Sequence, residues 1–445
     1  MTMRSRNKQA RRLRVGCLLS GIVLAGVATT PAHAETVRDQ QWYLDAMHAE
    51  QMWKASTGKG VTVAVVDSGV DAHFPDLRGQ VLRGKDFSYR PGDEHTDYDG
   101  HGTDMAVLIA GTGAKGETTG SYGVAPGAKI LPIRVPDFIE QSREDGNPDD
   151  YPTYVAKAIR YAADSDARII NVSLGGPEHS RMLDDAVDYA LSKNKLIFAA
   201  VGNLGAGTNP VEYPAATPGV VGVGAIGKDF KKTAESQYGA QVDLVAPGDD
   251  MIHTCDGKTG LCKSHGTSDA SAVASASAAL IWSKHPDWTN NQVLRVMLNT
   301  ASGPVSGKKR TDEIGYGAVR PRIALTNPGD PGPADEYPLP DLAAGSSASA
   351  QPGGGSAEPS PAASAPPVAA SGDDSSSMPW ILAGVGGLVL VGAGGGALAV
   401  RSRRRRAAPV PSAPYQGWAQ QPGFGPQPGQ DRPWPHQGTD TTGRQ

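Results

Sequence analysis

The stretch Val61-Thr62-Val63-Ala64-Val65-Val66-Asp67-Ser68-Gly69 decides the fold. From Val61 to Val66 it is apolar and β-branched almost throughout, without the alternation of a half-exposed strand, so it reads as a strand covered on both faces. The run ends on an aspartate before Ser-Gly. A carboxylate is thereby delivered to the carboxyl end of a buried strand, the edge where open parallel sheets bind their ligands.

Working outward, similar buried runs recur at Lys129 to Val135, Arg168 to Leu174, Leu196 to Val201 and Val220 to Ala225. Helical patterns occupy Gly102 to Gly111, Pro152 to Ser165, Arg181 to Lys193, Thr267 to Lys284 and Asn290 to Ala301. Strands joined by helical crossovers predict an α/β domain of three layers, with a central, mostly parallel sheet. The domain is expected over residues 35–327, with an N-terminal extension at 35–58. Gln41 to Trp53 is too apolar for a loose tail and is expected to pack on the domain.

Two more motifs join Asp67. His101 stands in Asp-Gly-His101-Gly-Thr and Ser268 in His-Gly-Thr-Ser268-Asp-Ala, each at the start of an expected helix. A serine hydroxyl is a weak nucleophile until a base takes its proton, and that base needs a carboxylate to hold its tautomer. A helix N-terminus also favours negative charge developing beside Ser268. Asn203 follows the strand Leu196 to Val201 within Gly202-Asn203-Leu204-Gly205.

The order Asp, His, Ser, together with Ile-Ile-Asn-Val-Ser173-Leu174-Gly175, Ala-Pro-Gly-Ala-Lys-Ile, Val-Asp-Leu-Val-Ala-Pro-Gly and Gly-Tyr316-Gly, resembles the subtilisin family of serine proteases over nearly the whole block. The resemblance implies a subtilisin-like fold, Ser268 as nucleophile, His101 as general base and Asp67 as its orienting carboxylate. It further implies Asn203 as oxyanion donor and Ser173, Leu174 and Gly175 as the strand that pairs with a peptide substrate. Three positions depart from the family pattern: Asp104, Asp269 and Ala272 stand where His, Met and Pro are usual. A carboxylate beside the nucleophile is expected to raise the pKa of His101, and a buried one needs a partner. Between Glu35 and Asp67 there is no room for the folded inhibitory pro-domain of many subtilisins.

The chain has 445 residues and a net charge of −4. Its two ends read differently from the block. Residues 1–34 carry basic residues, then an apolar run from Val15 to Val27 and Ala32-His33-Ala34, the pattern of a signal peptide. Residues 328–377 are rich in Pro, Ala, Ser and Gly and read as a linker. Residues 379–400 hold no charge and would span roughly 33 Å as a helix at 1.5 Å per residue, enough for a bilayer core. Arg401 and Arg403 to Arg406 follow, which predicts a single transmembrane helix with a cytoplasmic tail at 401–445, disordered by its Pro, Gln and Gly content. Topology accounts for this basic run, and nothing else points to nucleic acid.

Cys17 lies in the signal region, leaving Cys255 and Cys262. In an exported protein they read as a disulfide, the competing reading being a metal site with His253 or His265. Acidic loops at Asp93, Glu94, Asp97 and Asp99, and at Asp137, Glu140, Glu144, Asp145, Asp149 and Asp150, admit basic substrates or calcium. Solvated surface is the simpler reading, no specific motif supports calcium, and no cofactor is required.

The domain order resembles the mycosins, membrane-anchored subtilisin-like proteases associated with type VII secretion. Two functions follow from that resemblance. One is an extracytoplasmic endopeptidase on the cell membrane that processes peptide or protein substrates of the secretion machinery. The other is a structural subunit stabilising the secretion complex, with little or no proteolysis.

Overall fold

Six parallel pairings build one sheet in the computed structural model, which describes residues 35–136, 151–257 and 259–342. Its strands are β1 (Thr62–Asp67), β2 (Lys85–Asp86), β3 (Lys129–Arg134), β4 (Ile169–Val172), β5 (Leu196–Ala200), β6 (Val221–Ile226) and β7 (Leu244–Pro247), ordered β2-β3-β1-β4-β5-β6-β7. The chain leaves β1 for β2 and β3 on one side and then crosses to β4 on the other. β1 therefore sits at the switch point, where the carboxyl ends of diverging connections open a crevice. Asp67 is the last residue of β1.

Successive side chains of β1 serve opposite cores, which is why its sequence does not alternate. Val63 and Val65 pack with helices α4 (His101–Ala110), α7 (Thr267–Lys284) and α8 (Asn290–Thr300). Ala64 and Val66 pack with α5 (Tyr151–Asp164) and α6 (Arg181–Ser192). This is the expected three-layer α/β arrangement.

α7 is the central helix, buried from Ala270 to Trp282. Alanine favours the helix, and the small side chains of alanine and serine at most of those positions let it lie close to the sheet. Buried hydroxyls then need acceptors, and Ser271 and Ser275 both find Asn171 Oδ1, each at 2.9 Å.

The segment before β1 forms three short helices, α1 (Val37–Gln40), α2 (Trp42–Ala46) and α3 (Ala49–Ala55). Tyr43, Leu44 and Met52 are buried in the α4/α7 core, and Trp53 Nε1 donates to Val124 O at 2.9 Å. Each such side chain contributes about 1.5–3 kcal/mol of burial, so the extension is part of the domain, as its apolarity required.

At the other end, α9 (Pro321–Thr326) does not close the domain. Residues 328–342, assigned by composition to the linker, lie on it. Leu339 is buried, Tyr337 Oη donates to Gly219 O at 2.8 Å, and Asp341 accepts from Gly219 N at 3.0 Å. A few anchoring side chains dock a Pro-rich stretch that composition alone assigns to a tether.

β8 (Met251–His253) and β9 (Cys262–Ser264) form an antiparallel hairpin, and Cys255 and Cys262 are disulfide-bonded. His253 and His265 turn to other partners, so the alternative metal reading of this pair fails. No helix among the described residues is long and apolar enough to cross a membrane. The expected signal peptide at 1–34, the rest of the linker, the span at 379–400, the tail and the acidic loop at 137–150 lie outside them.

Candidate active site

The end of β1 meets the start of α4. His101 opens α4 and its Nδ1 lies 2.7 Å from Asp67 Oδ1, with Asp67 fully buried and His101 a quarter exposed. Ser68 N donates to the same carboxylate oxygen at 2.8 Å, whereas Asp67 Oδ2 is buried without a partner among the described residues.

Asp97 fixes the approach of α4. It accepts from Gly100 N at 3.0 Å, Thr103 N at 2.8 Å and Ser68 Oγ at 2.9 Å, tying the β1 turn to the helix. Burial, with Asp99 nearby, pushes its pKa up to about 6. Sequence reasoning placed Asp97 on a solvated loop. The signal was available in Asp97-Tyr98-Asp99-Gly100 just before a helix, because aspartates there cap free backbone N–H groups.

Ser268 stands in the first turn of α7. Gly266, with φ 130°, caps that helix, and a Cβ there would approach Asn203 Nδ2 to 3.0 Å. Asn203 Oδ1 accepts from Thr267 N at 2.9 Å and Thr267 Oγ1 at 3.0 Å. A backbone N–H can only donate, so the amide is oriented with Nδ2 turned away and free to donate elsewhere. Thr267 Oγ1 also accepts from Gly202 N at 3.1 Å, locking the β5 turn to the helix.

Ser268 Oγ donates to Ser173 O at 3.0 Å. In return Ser173 Oγ donates to Ser268 O at 3.1 Å and accepts from Asn171 Nδ2 at 2.9 Å. Leu174 and Gly175 continue this strand end, with Leu174 half-buried and Gly175 exposed. The structure thus pairs Asp67 with His101 and, separately, joins Ser268 to the Ser173 strand end and Asn203 to Thr267, the residue before Ser268.

The departures Asp104 and Asp269 lie on the same side of the site. Burial pushes Asp104 up to about 8, against the pull of His101, and Asp269 up to about 6, against its hydrogen bond with Ser264 and the pull of His101. The partner of buried Asp269 is a hydroxyl, Ser264 Oγ at 2.8 Å. Ser264 Oγ is also 3.0 Å from His253 Nε2, and Asp104 Oδ1 is 3.7 Å from His253 Nδ1. Burial pushes His253 down to about 4, so it offers neither aspartate a cation near neutral pH. Burial also opposes charge on His101, but Asp67, Asp99 and Asp269 outweigh it and raise its pKa.

Sequence reasoning also missed Glu212. Its half-buried carboxylate lies between Gly175 and Gly202, the first of them far away in sequence, and no local motif marks it. Among the described residues, no group of three or more His, Cys, Asp or Glu is placed to hold a metal ion.

An aspartate-held histidine and a serine in the first turn of a helix, at the carboxyl edge of a parallel sheet, match the class of serine peptidases with the Asp, His, Ser order. Residues 58–319 match the Subtilase family, and the chain belongs to it. M-protease of Shouchella clausii is 37% identical over 248 residues, which cover 56% of this chain and 60% of that protein. The crystal structure of MycP1 from Mycobacterium smegmatis is similar with a TM-score of 0.58 at 27% identity, covering 69% of this chain and 89% of that one. The MycP3 protease from the type VII (ESX-3) secretion system is similar with a TM-score of 0.55 at 31% identity, covering 67% and 90%.

Proposed function

We propose that this chain is a serine endopeptidase of the mycosin type, tethered outside the cytoplasmic membrane by residues 379–400 and acting on proteins of a type VII secretion system. The observation that carries the chemistry is the 2.7 Å contact between His101 and buried Asp67, on the same crevice as a serine in the first turn of a helix.

For reaction, the Ser268 hydroxyl turns from Ser173 O towards His101 Nε2 and attacks the peptide carbonyl carbon, its proton passing to His101. Asp67 stabilises the imidazolium so formed. The oxyanion takes hydrogen bonds from Asn203 Nδ2 and Ser268 N, the latter strengthened by the α7 N-terminus. His101 then protonates the departing amine, and water repeats the sequence to release the acyl group from Ser268. Each step uses only side chains and water, so the chemistry requires no cofactor. Likeness to the MycP1 and MycP3 structures, a leader-like sequence at 1–34 and the charge-free stretch before the arginine cluster support the setting.

The full-length protein, treated with a fluorophosphonate, is expected to be labelled at Ser268 and not in Ser268→Ala. Absence of Ser268-dependent labelling across about pH 5 to 10 overturns the enzymatic reading.

One observation favours a second reading, a structural subunit of the secretion complex: the Ser268 hydroxyl is engaged by Ser173 O. Comparing secretion in Ser268→Ala and deletion strains at equal protein level separates the two. Secretion intact in Ser268→Ala but lost on deletion supports the subunit.

A further inference from the structure

Glu212 occupies a place that neither the triad nor the fold requires of a carboxylate. Two backbone locks put it there. Gly176 and Tyr213 exchange hydrogen bonds at 3.1 and 2.7 Å, so the residue before Tyr213 is held beside Gly175. A Cβ on Gly175 would overlap Glu212 Oε2. On the opposite side, Gln237 N donates to Gly202 O at 3.0 Å, and a Cβ on Gly202 would come within 2.7 Å of Glu212 Cδ. The carboxylate therefore fills the space between two glycines whose missing side chains leave room for it.

Those two glycines bracket the reacting centre. Gly175 is two residues beyond Ser173, whose carbonyl holds the Ser268 hydroxyl, and Gly202 immediately precedes Asn203. A peptide lying along Ser173 to Gly175 with its scissile carbonyl at Ser268 and Asn203 places the side chain just before the cut between these walls. Glu212 is then the floor that this side chain meets.

The charge on that floor has no counter-ion among the described residues. Among the described residues the Glu212 carboxylate has one hydrogen bond, accepting from Gln237 Nε2 at 2.7 Å, and burial raises its pKa. The same Gln237 is fully buried, and its Oε1 has no partner among the described residues. A half-buried carboxylate with a single neutral donor, beside an unused acceptor, costs free energy that an incoming cation with several N–H donors would offset. Leu174 supplies apolar surface on the same wall for a long aliphatic stem.

Resting on the peptidase reading above, we infer that Glu212 is a specificity-determining residue and that the chain selects substrates with lysine or arginine immediately before the scissile bond. A neutral leucine in that position would leave the carboxylate desolvated and unpaired, which is a penalty as well as a missed attraction.

The test uses the full-length protein and peptides identical except for Lys, Arg, Leu or Glu before the cut. The expected kcat/KM ratio of Lys to Leu is roughly 10- to 100-fold, the range for one hydrogen-bonded charge pair. Glu212→Gln is expected to collapse that ratio to near unity, and Glu212→Arg to turn preference towards the Glu peptide. Fluorophosphonate labelling of Ser268 in each preparation separates the two levels. A labelled enzyme whose Lys to Leu ratio is the same in wild type and Glu212→Gln overturns the assignment of Glu212 while leaving the peptidase reading intact. If Ser268 is not labelled, the same ratio is read as binding of the uncleaved peptides by fluorescence anisotropy. Equal affinities for Lys and Leu peptides then overturn the assignment as well.

Discussion

The two flanks of the α7 N-terminus are built from opposite materials. On one flank Asn171, Ser173, Ser271, Ser275, Asn203 and Thr267 form a neutral network in which each side-chain amide has its oxygen occupied by donors. On the other, Asp269, Ser264, His253 and Asp104 form a titratable cluster with no cation supplied by His253. The neutral flank sets geometry that pH does not disturb, whereas the acidic flank sets the charge felt by His101.

Hydrogen-bond polarity sharpens the contrast. His253 Nδ1 lies 3.0 Å from Thr254 O, an acceptor only, so Nδ1 carries the proton and neutral His253 presents Nε2 as an acceptor. Ser264 has one proton for two neighbours. It satisfies both Nε2 and Asp269 when Asp269 is protonated, which agrees with the upward push of the Asp269 pKa to about 6. The acidic flank thus gains charge as pH rises through about 6, and the neutral flank has none to change.

The largest expected effect is on the neutral flank. Asn203→Ala removes one oxyanion donor and is expected to lower kcat by about 10²–10³, measured by steady-state cleavage. A loss below tenfold would mean that Nδ2 does not face the developing charge. Next, Asn171→Ala leaves two buried hydroxyls without an acceptor and one without its donor, a cost of about 3 kcal/mol. Thermal unfolding is expected roughly 10 °C lower; an unchanged Tm would show that this network positions nothing.

Changes on the acidic flank are smaller and visible only against pH. Asp269→Asn keeps a group able to hydrogen-bond Ser264 but removes a charge that raises the His101 pKa. The acid limb of the kcat/KM profile is expected to move to lower pH, since His101 must be neutral to act as base. A shift to higher pH would contradict the placement of that charge. Asp104→Asn is expected to be the mildest of the four for catalysis and is read in stability instead. The Asp104 carboxyl titrates at about 8 in the folded chain against about 3.9 in an unfolded one, so the folded state holds the extra proton between those values. Its stabilisation is complete below about pH 4 and is lost as pH rises through 8. The variant is expected to flatten the fall in Tm over that window, measured by thermal unfolding at stepped pH. A profile parallel to wild type would place Asp104 in water.

Legibility followed the range of the interaction. Strands and helices carrying runs of apolar residues could be read directly, and so could the motif residues, because each sits at an element end with its own glycines. Asp97 was legible in principle from its spacing to the helix. Asn171 was not, since a strand asparagine looks ordinary until Ser271 and Ser275, far along the chain, are laid against it. Docking of residues 328–342 depended on Tyr337 and Asp341 meeting Gly219 and on Leu339 joining the core, which no composition average reveals.

By itself the sequence determined the parallel α/β frame, with Asp67 delivered at the end of β1 and His101 and Ser268 at helix starts, because periodicity and helix-end chemistry are local. Only the tertiary structure decided which groups share a dielectric: Asp269 buried and Asp104 half-buried beside a neutral His253, Asn203 turned by Thr267, and Glu212 left between two glycines. Burial and contact arise from segments far apart in the chain, and they are what move a pKa or aim a donor.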